Sequence, residues 1–313
     1  MIRGALLIAL AALLWSTAGI VAKFLFTGSE LQAVALAFLR LVAALPFFYL
    51  LMRRELKANR RIADASPQAS RRPLRKSLLP LMALGVFQAF YQGSYLLAVD
   101  LTGAGIATLI ALCLAPVLVA IMAAPLLGEK PGWVTLLALM TAIAGTALLV
   151  VSDMDSAGEL RLDGILIAVF AALVYASFTL TSRHTSTGTP VFTTAFICFA
   201  TAALVLMPVV WAIDGFSGMA SLSWGQWLMV LYIGVVPTCM GYLSFFAGMK
   251  TTPATLSSII VTLEPLFVAM LAWVFLGEVL GAVGITGALV LTAAVIVASR
   301  SSALRAPAGA AKG

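Results

Sequence analysis

Two ionisable side chains stand where a lipid-soluble sequence should carry none: Arg40 near the middle of one apolar run and Glu264 near the middle of another. A charge at the centre of a membrane helix costs about 3 kcal/mol to insert, so each must face protein or water rather than lipid. The chemistry open to them is binding. Glu264 can hold a substrate amine or a proton, while Arg40 can answer a carboxylate or pair with Glu264. The plainer alternative is an ion pair that ties the helices together.

Polar-capable residues cluster elsewhere in the chain. Gln88, Tyr91, Gln92 and Tyr95 follow an i, i+3, i+4, i+7 spacing, which puts all four on one helical face. In a membrane that face must look into the bundle or a cavity, either lining a substrate site or hydrogen-bonding neighbouring helices. Trp15 and Tyr175 lie too deep for the interfacial aromatic belt. Their N–H and O–H groups need partners, and a pocket for an apolar or aromatic group would use them. Ser16 and Tyr242, the latter with Thr238 and Phe245 on its face, complete the candidate substrate contacts. Pro116, Pro237 and Pro265 fall mid-run, where each removes a backbone hydrogen bond. With Arg40 they are candidates for gating, or for fixed kinks.

Other chemistries lack their residues. Cys113, Cys198 and Cys239 show no paired spacing, and His184 is the only histidine, so no metal site is expected. There is no Gly-Lys-Ser/Thr phosphate loop, and no cofactor is expected. The spans hold no Ser-His or paired-Asp constellation, so an enzyme is not expected, although a lipid-modifying enzyme remains one alternative. A channel is the other, and it would want a pore-like charged ring.

The elements that position these residues follow from composition. The chain is 62% hydrophobic and 10% charged, against roughly 25% charged in soluble domains. Lipid must therefore cover most of its surface. Apolar runs long enough to cross about 30 Å of hydrocarbon as helices occupy 4–23, 31–52, 78–98, 104–127, 131–151, 164–182, 191–213, 224–247, 254–276 and 280–299. The first is expected to be a retained span rather than a cleaved signal. Basic residues set the orientation. The segment 53–77 is rich in Lys and Arg and should be cytoplasmic, flexible and close to anionic headgroups. Ten spans then put both termini in the cytoplasm of a bacterial inner-membrane protein. Lys130, Arg183 and Lys250 fall inside as well, while Asp153, Asp155, Glu159 and Asp163 fall outside. The net charge of +7 is accounted for by this bias, with no need for a nucleic-acid partner.

The chain also repeats. A shift of 160 places Gly4, Trp15 and Lys23 on Gly164, Tyr175 and Arg183. A shift of 149 places Gly85, Thr102 and Pro116 on Gly234, Thr251 and Pro265, and Leu127-Gly128-Glu129 on Leu276-Gly277-Glu278. Five spans per repeat is an odd number, so the second half enters the membrane upside down. Inverted repeats of this kind suit a carrier that exposes one central site to each side in turn. The expected organisation is a first repeat over 1–151, with its basic loop at 53–77, a second over 152–300, and a disordered cytoplasmic tail over 301–313.

With Leu13-Leu14-Trp15-Ser16 in its first span, and with Pro116 and Glu264-Pro265 helices each followed by Leu-Gly-Glu, the chain resembles the EamA family of the drug/metabolite transporter superfamily. The resemblance covers nearly the whole chain. It implies an all-α integral membrane fold of ten transmembrane helices in two inverted five-helix repeats, a cavity between the halves, and export of amino acids or related small metabolites. Within the family, the YddG-type amino-acid exporters are the branch to test first. One departure stands out: Ala115 occupies the place of Glu264 in the first repeat.

Overall fold

A computed structural model describes residues 2–65, 74–102, 104–152, 162–186, 188–277 and 281–305. The expectations placed on the middle of the basic loop, on Asp153, Asp155 and Glu159, on Glu278, and on the tail beyond 305 lie outside the described residues.

Among the described residues every regular element is a helix. The first half contains α1 (Ile2–Thr27), α2 (Ala33–Ala65), α3 (Leu74–Thr102), α4 (Ala104–Leu127) and α5 (Trp133–Ser152). The second contains α6 (Leu162–Ser186), α7 (Val191–Ala212) and a short α8 (Ser217–Ala220). Its next span is made of α9 (Trp224–Ile233), a π-helical stretch (Gly234–Gly241) and α10 (Tyr242–Met249). The following span is split into α11 (Ala254–Val261) and α12 (Glu264–Leu276), and α13 (Ala282–Arg305) closes the bundle.

Nine helices among the described residues are long and apolar enough to cross a membrane. α3 is not one of them, because Gln88, Tyr91, Gln92, Ser94 and Tyr95 dilute its apolar run. It packs against α4, α6 and α7 within the bundle. Large apolar side chains such as Leu79, Trp211 and Trp224 are exposed on the outside of the bundle, as a lipid-facing surface requires.

Two expectations shift in detail. Both ends of the basic segment are helical: α2 continues to Ala65 and α3 begins at Leu74. Between Arg53 and Ala65 the sequence is mostly Arg, Lys, Glu, Leu and Ala with no Gly or Pro, a composition that propagates helix beyond the membrane. Likewise α13 stays helical through Arg305, so the first residues of the expected tail extend a helix.

Helix pairing obeys the repeat. α1 packs on the α9–α10 span as α6 packs on α3, and α1 packs on α11–α12 as α6 packs on α4. α2 packs on α7, and α5 on α13. Exchanging the two halves leaves this pattern unchanged. The close approaches repeat too. A Cβ on Gly4 would collide with Thr251 and Thr252, and one on Gly164 would collide with Thr102 and Leu101. Gly85 faces the backbone of α7, as Gly234 faces that of α2. Gly128 and Gly277, from the two Leu-Gly-Glu segments, both end their helices in the left-handed conformation, at φ 69° and 71°.

α5 and α13 touch through a reciprocal glycine pair. A Cβ on Gly145 would sit 2.6 Å from Leu291 N, and one on Gly287 would sit 2.7 Å from Gly145 O. Backbone meets backbone there, so neither side can yield. Gly145→Val or Gly287→Val should therefore destabilise the protein by about 1–3 kcal/mol or more, read as a lowered melting temperature in detergent. Gly225→Ala, with nothing within 4 Å of its Cβ, should leave melting unchanged.

Candidate functional site

A cavity of about 340 Å³ lies between the halves, and both intramembrane charges reach it. Arg40 comes from α2, and Glu264 opens α12 just after the chain breaks at Thr262-Leu263. The break has a local cause. Pro265 lacks an N–H, and the Thr262 hydroxyl bonds back to Ile259 O at 2.6 Å, competing with the helical ladder. The matching Pro116 is accommodated within an unbroken α4. Pro237 lies in the π-helical stretch, where the Thr238 hydroxyl satisfies Ile233 O at 2.8 Å. Pro237 lines the cavity; Pro116 and Pro265 do not.

The aromatic and amide candidates are mostly brought together. Trp15, Tyr91, Gln92, Tyr95, Tyr175 and Tyr242 all line the cavity, with Thr238 beside them. Tyr91 packs on Tyr175 at 5.0 Å and stacks on Tyr95 at 5.9 Å, while Trp15 packs on Tyr242 at 4.8 Å. Tyr95 also shares a 2.7 Å hydrogen bond with Thr108. Arg40 and Glu264 share the space without closing an ion pair across it. Two donors on the wall are buried without a protein partner: Trp15 Nε1 and Arg40 Nε.

Two candidates sit behind the wall. The Ser16 side chain is buried, and its hydroxyl bonds to Leu13 O at 2.6 Å, so helix backbone consumes it. Gln88 is buried too, and its Nε2 donates to the Tyr242 hydroxyl at 2.7 Å. Phe245, placed on the face of Tyr242, is core.

The lining places the cavity along the membrane normal. It runs from Trp15, Arg40 and Glu264 at mid-span to Phe26 and Ala33, which flank the α1–α2 connection. No described residue at the opposite end, where α1 begins, lines this cavity. There Arg183 Nε meets Glu129 Oε1 at 2.7 Å, and Arg183 Nη1 donates to Met249 O at 2.7 Å. Glu129 Oε2 accepts from Ala254 N at 2.7 Å, so one ion pair joins the α4–α5 turn, α6 and the α10–α11 turn. Glu55 adds a second brace, accepting from Thr193 N at 2.9 Å at the start of α7.

Sequence reasoning missed the small residues that make the room, Ala18, Gly19 and Ala22 on α1 and Ala33 and Ala37 on α2. In sequence they look the same as residues that let helices approach closely. It also missed the Arg183–Glu129 pair, although both residues lay in the repeat alignment.

The fold and the charged central cavity define the class: a polytopic membrane transporter built from two five-helix halves. The model of the EamA-like transporter family matches residues 2–151 and again 162–300, and the chain belongs to that family. Among its relatives, the uncharacterized transporter YwfM of Bacillus subtilis is 29% identical over 64% of this chain and 67% of its own length. YxxF of the same organism is 33% identical over 57% of this chain and 58% of its own length. The pseudopaline exporter CntI of Pseudomonas aeruginosa is 27% identical over 95% of this chain and 96% of its own. A solved crystal structure with the same fold has a TM-score of 0.72 at 21% identity, covering 95% of this chain and 97% of that one.

The walls define which positions meet water. With Cys113, Cys198 and Cys239 replaced, Gln92→Cys and Ala33→Cys should react with a water-soluble maleimide, whereas Ser16→Cys should not. Equal labelling at all three positions would contradict the cavity boundary.

Proposed function

We propose that the protein is a secondary transporter that exports amino acids or related small metabolites by alternating access. The observation that carries this reading is the pairing of Arg40 and Glu264 in one aromatic-walled cavity that runs toward one membrane face only. An anionic and a cationic group on the same ligand would each find a partner there. Trp15, Tyr91, Gln92, Tyr95, Tyr175 and Tyr242 supply direct contacts, and Pro237 sits in a helix whose register already departs from α. CntI, a named exporter similar over most of the chain, supports the outward direction. The substrate in that exporter's name, pseudopaline, gives the second substrate reading.

The proposed topology divides the chain into 1–151 and 152–300. Both termini lie in the cytoplasm of a bacterial inner membrane, following the basic residues at the end where α1 begins. On this topology the structure is the outward-open state. The Arg183–Glu129 pair and Glu55 then brace the cytoplasmic side shut. Opening inward requires the Arg183 bonds to break while the far end closes, a two-state exchange between packed halves.

In proteoliposomes the protein should take up labelled amino acids saturably, with competition from Thr, Met or aromatic amino acids. Failure of every amino acid alongside success of another metabolite class would end the amino-acid assignment. Glu264→Gln should weaken amine-bearing substrates by about tenfold and alter the pH profile; wild-type transport across pH would make Glu264 a structural residue.

The brace has its own test. Thr252 is fully buried at the closed end, so Thr252→Cys should resist a water-soluble maleimide. Adding Glu129→Gln should raise its labelling rate by about tenfold. An unchanged rate would show that the ion pair does not hold that end closed.

A further inference from the structure

Gln88 lies outside the cavity yet touches a residue that lines it. Its Nε2 donates to the Tyr242 hydroxyl at 2.7 Å in a buried setting. A hydroxyl that accepts this bond keeps its one proton for another direction. The Tyr242 ring is held by Trp15 at 4.8 Å and Phe199 at 4.7 Å, which fix its place without offering a conventional acceptor. Arg40 lines the same cavity as Tyr242, and a guanidinium only donates. The Tyr242 proton is thus free to turn into the cavity that Tyr242 and Arg40 both line.

Two more donors stand at the same pole. Arg40 Nε and Trp15 Nε1 are buried without a protein acceptor, and both residues line the cavity. Donor groups from α1, α2 and α10 therefore stand on the wall of one cavity. The acceptor of the site, Glu264, lines the same cavity, with the rings of Tyr91, Tyr95 and Tyr175 also on its wall. Rings beside a carboxylate suit a cation. Of the two charged groups on this wall, Arg40 suits an anionic pole of a ligand and Glu264 a cationic one.

We propose that Gln88 is a positioning residue that turns the Tyr242 O–H toward an anionic group of the ligand held by Arg40. Tyr242 thereby becomes a specificity residue, favouring ligands that carry a carboxylate at this pole over neutral analogues of the same shape. The inference rests on the transporter reading and goes beyond it by assigning the anion pole to a Gln88–Tyr242–Arg40 relay.

Isothermal titration of the purified full chain with L-phenylalanine, L-phenylalaninamide and 3-phenylpropionate tests it. The amino acid and the amide share the ring and the amine and differ at the carboxylate, while the propionate keeps only the ring and the carboxylate. The wild type should prefer phenylalanine over the amide by about tenfold or more. Tyr242→Phe and Gln88→Leu should each shrink that preference by about tenfold, weakening phenylalanine far more than the amide. Either variant should also weaken 3-phenylpropionate, and the double variant should be no worse than either single one.

A merely structural role would weaken phenylalanine and the amide together, and that result overturns the inference. An unchanged preference in Tyr242→Phe overturns it as well, as does binding of none of the three probes. If Gln88→Leu melts early, Tyr242→Phe decides alone, since it keeps every ring contact. The transporter reading fails separately: no saturable flux of any metabolite in proteoliposomes would end it, whatever the titration shows.

Discussion

Hydrocarbon cannot solvate a charge, and this chain places Arg40 and Glu264 at mid-membrane. The interior is built around that constraint. Small residues on α1 and α2 hold open a space that both charges reach. Aromatic rings wall it, and the Tyr242 and Tyr95 hydroxyls are anchored by Gln88 and Thr108. Without the cavity, the two groups would have to pair tightly or abandon their charges. With it, they stay apart and available to a ligand.

The repeat supplies the frame, and departures from the repeat supply the site. Helix pairing, glycine contacts and left-handed caps are all shared between the halves. The carboxylate is not, because Glu264 stands where the first half has Ala115. Nor is the helix break, since α4 runs unbroken through Pro116. A symmetric scaffold can adopt two related arrangements at similar free energy, while an asymmetric lining lets one pocket read a ligand that has two different ends. The ion pair at the closed end is the kind of contact that must be exchanged between such arrangements.

Much of this was legible in sequence because the signals were strong and regular. Composition alone fixed the lipid environment, and Pro and Leu-Gly-Glu matching at one shift exposed the two halves. The spacing of Gln88, Tyr91, Gln92 and Tyr95 located the face that turns inward. It could not say which of the four meets water, because one face of a tilted helix spans both the cavity and the wall behind it. Ser16 could serve a substrate or its own backbone, and sequence does not choose between the two; in the bundle its hydroxyl bonds Leu13 O. Arg183 and Glu129 lie 54 residues apart, so only the folded bundle brings them together. The break before Glu264 needed Thr262 as well as Pro265, a conjunction that a proline count does not reveal.

The central claim is that two halves of opposite sense in the membrane enclose one charged cavity. The most direct measurement is sided labelling of single cysteines at Asp100 and at Lys250, with an impermeant maleimide on intact and on inverted vesicles. Opposite insertion predicts that Asp100→Cys reacts only from outside and Lys250→Cys only from the cytoplasmic side. Reaction of both from the same side would contradict the inverted architecture and the carrier built on it.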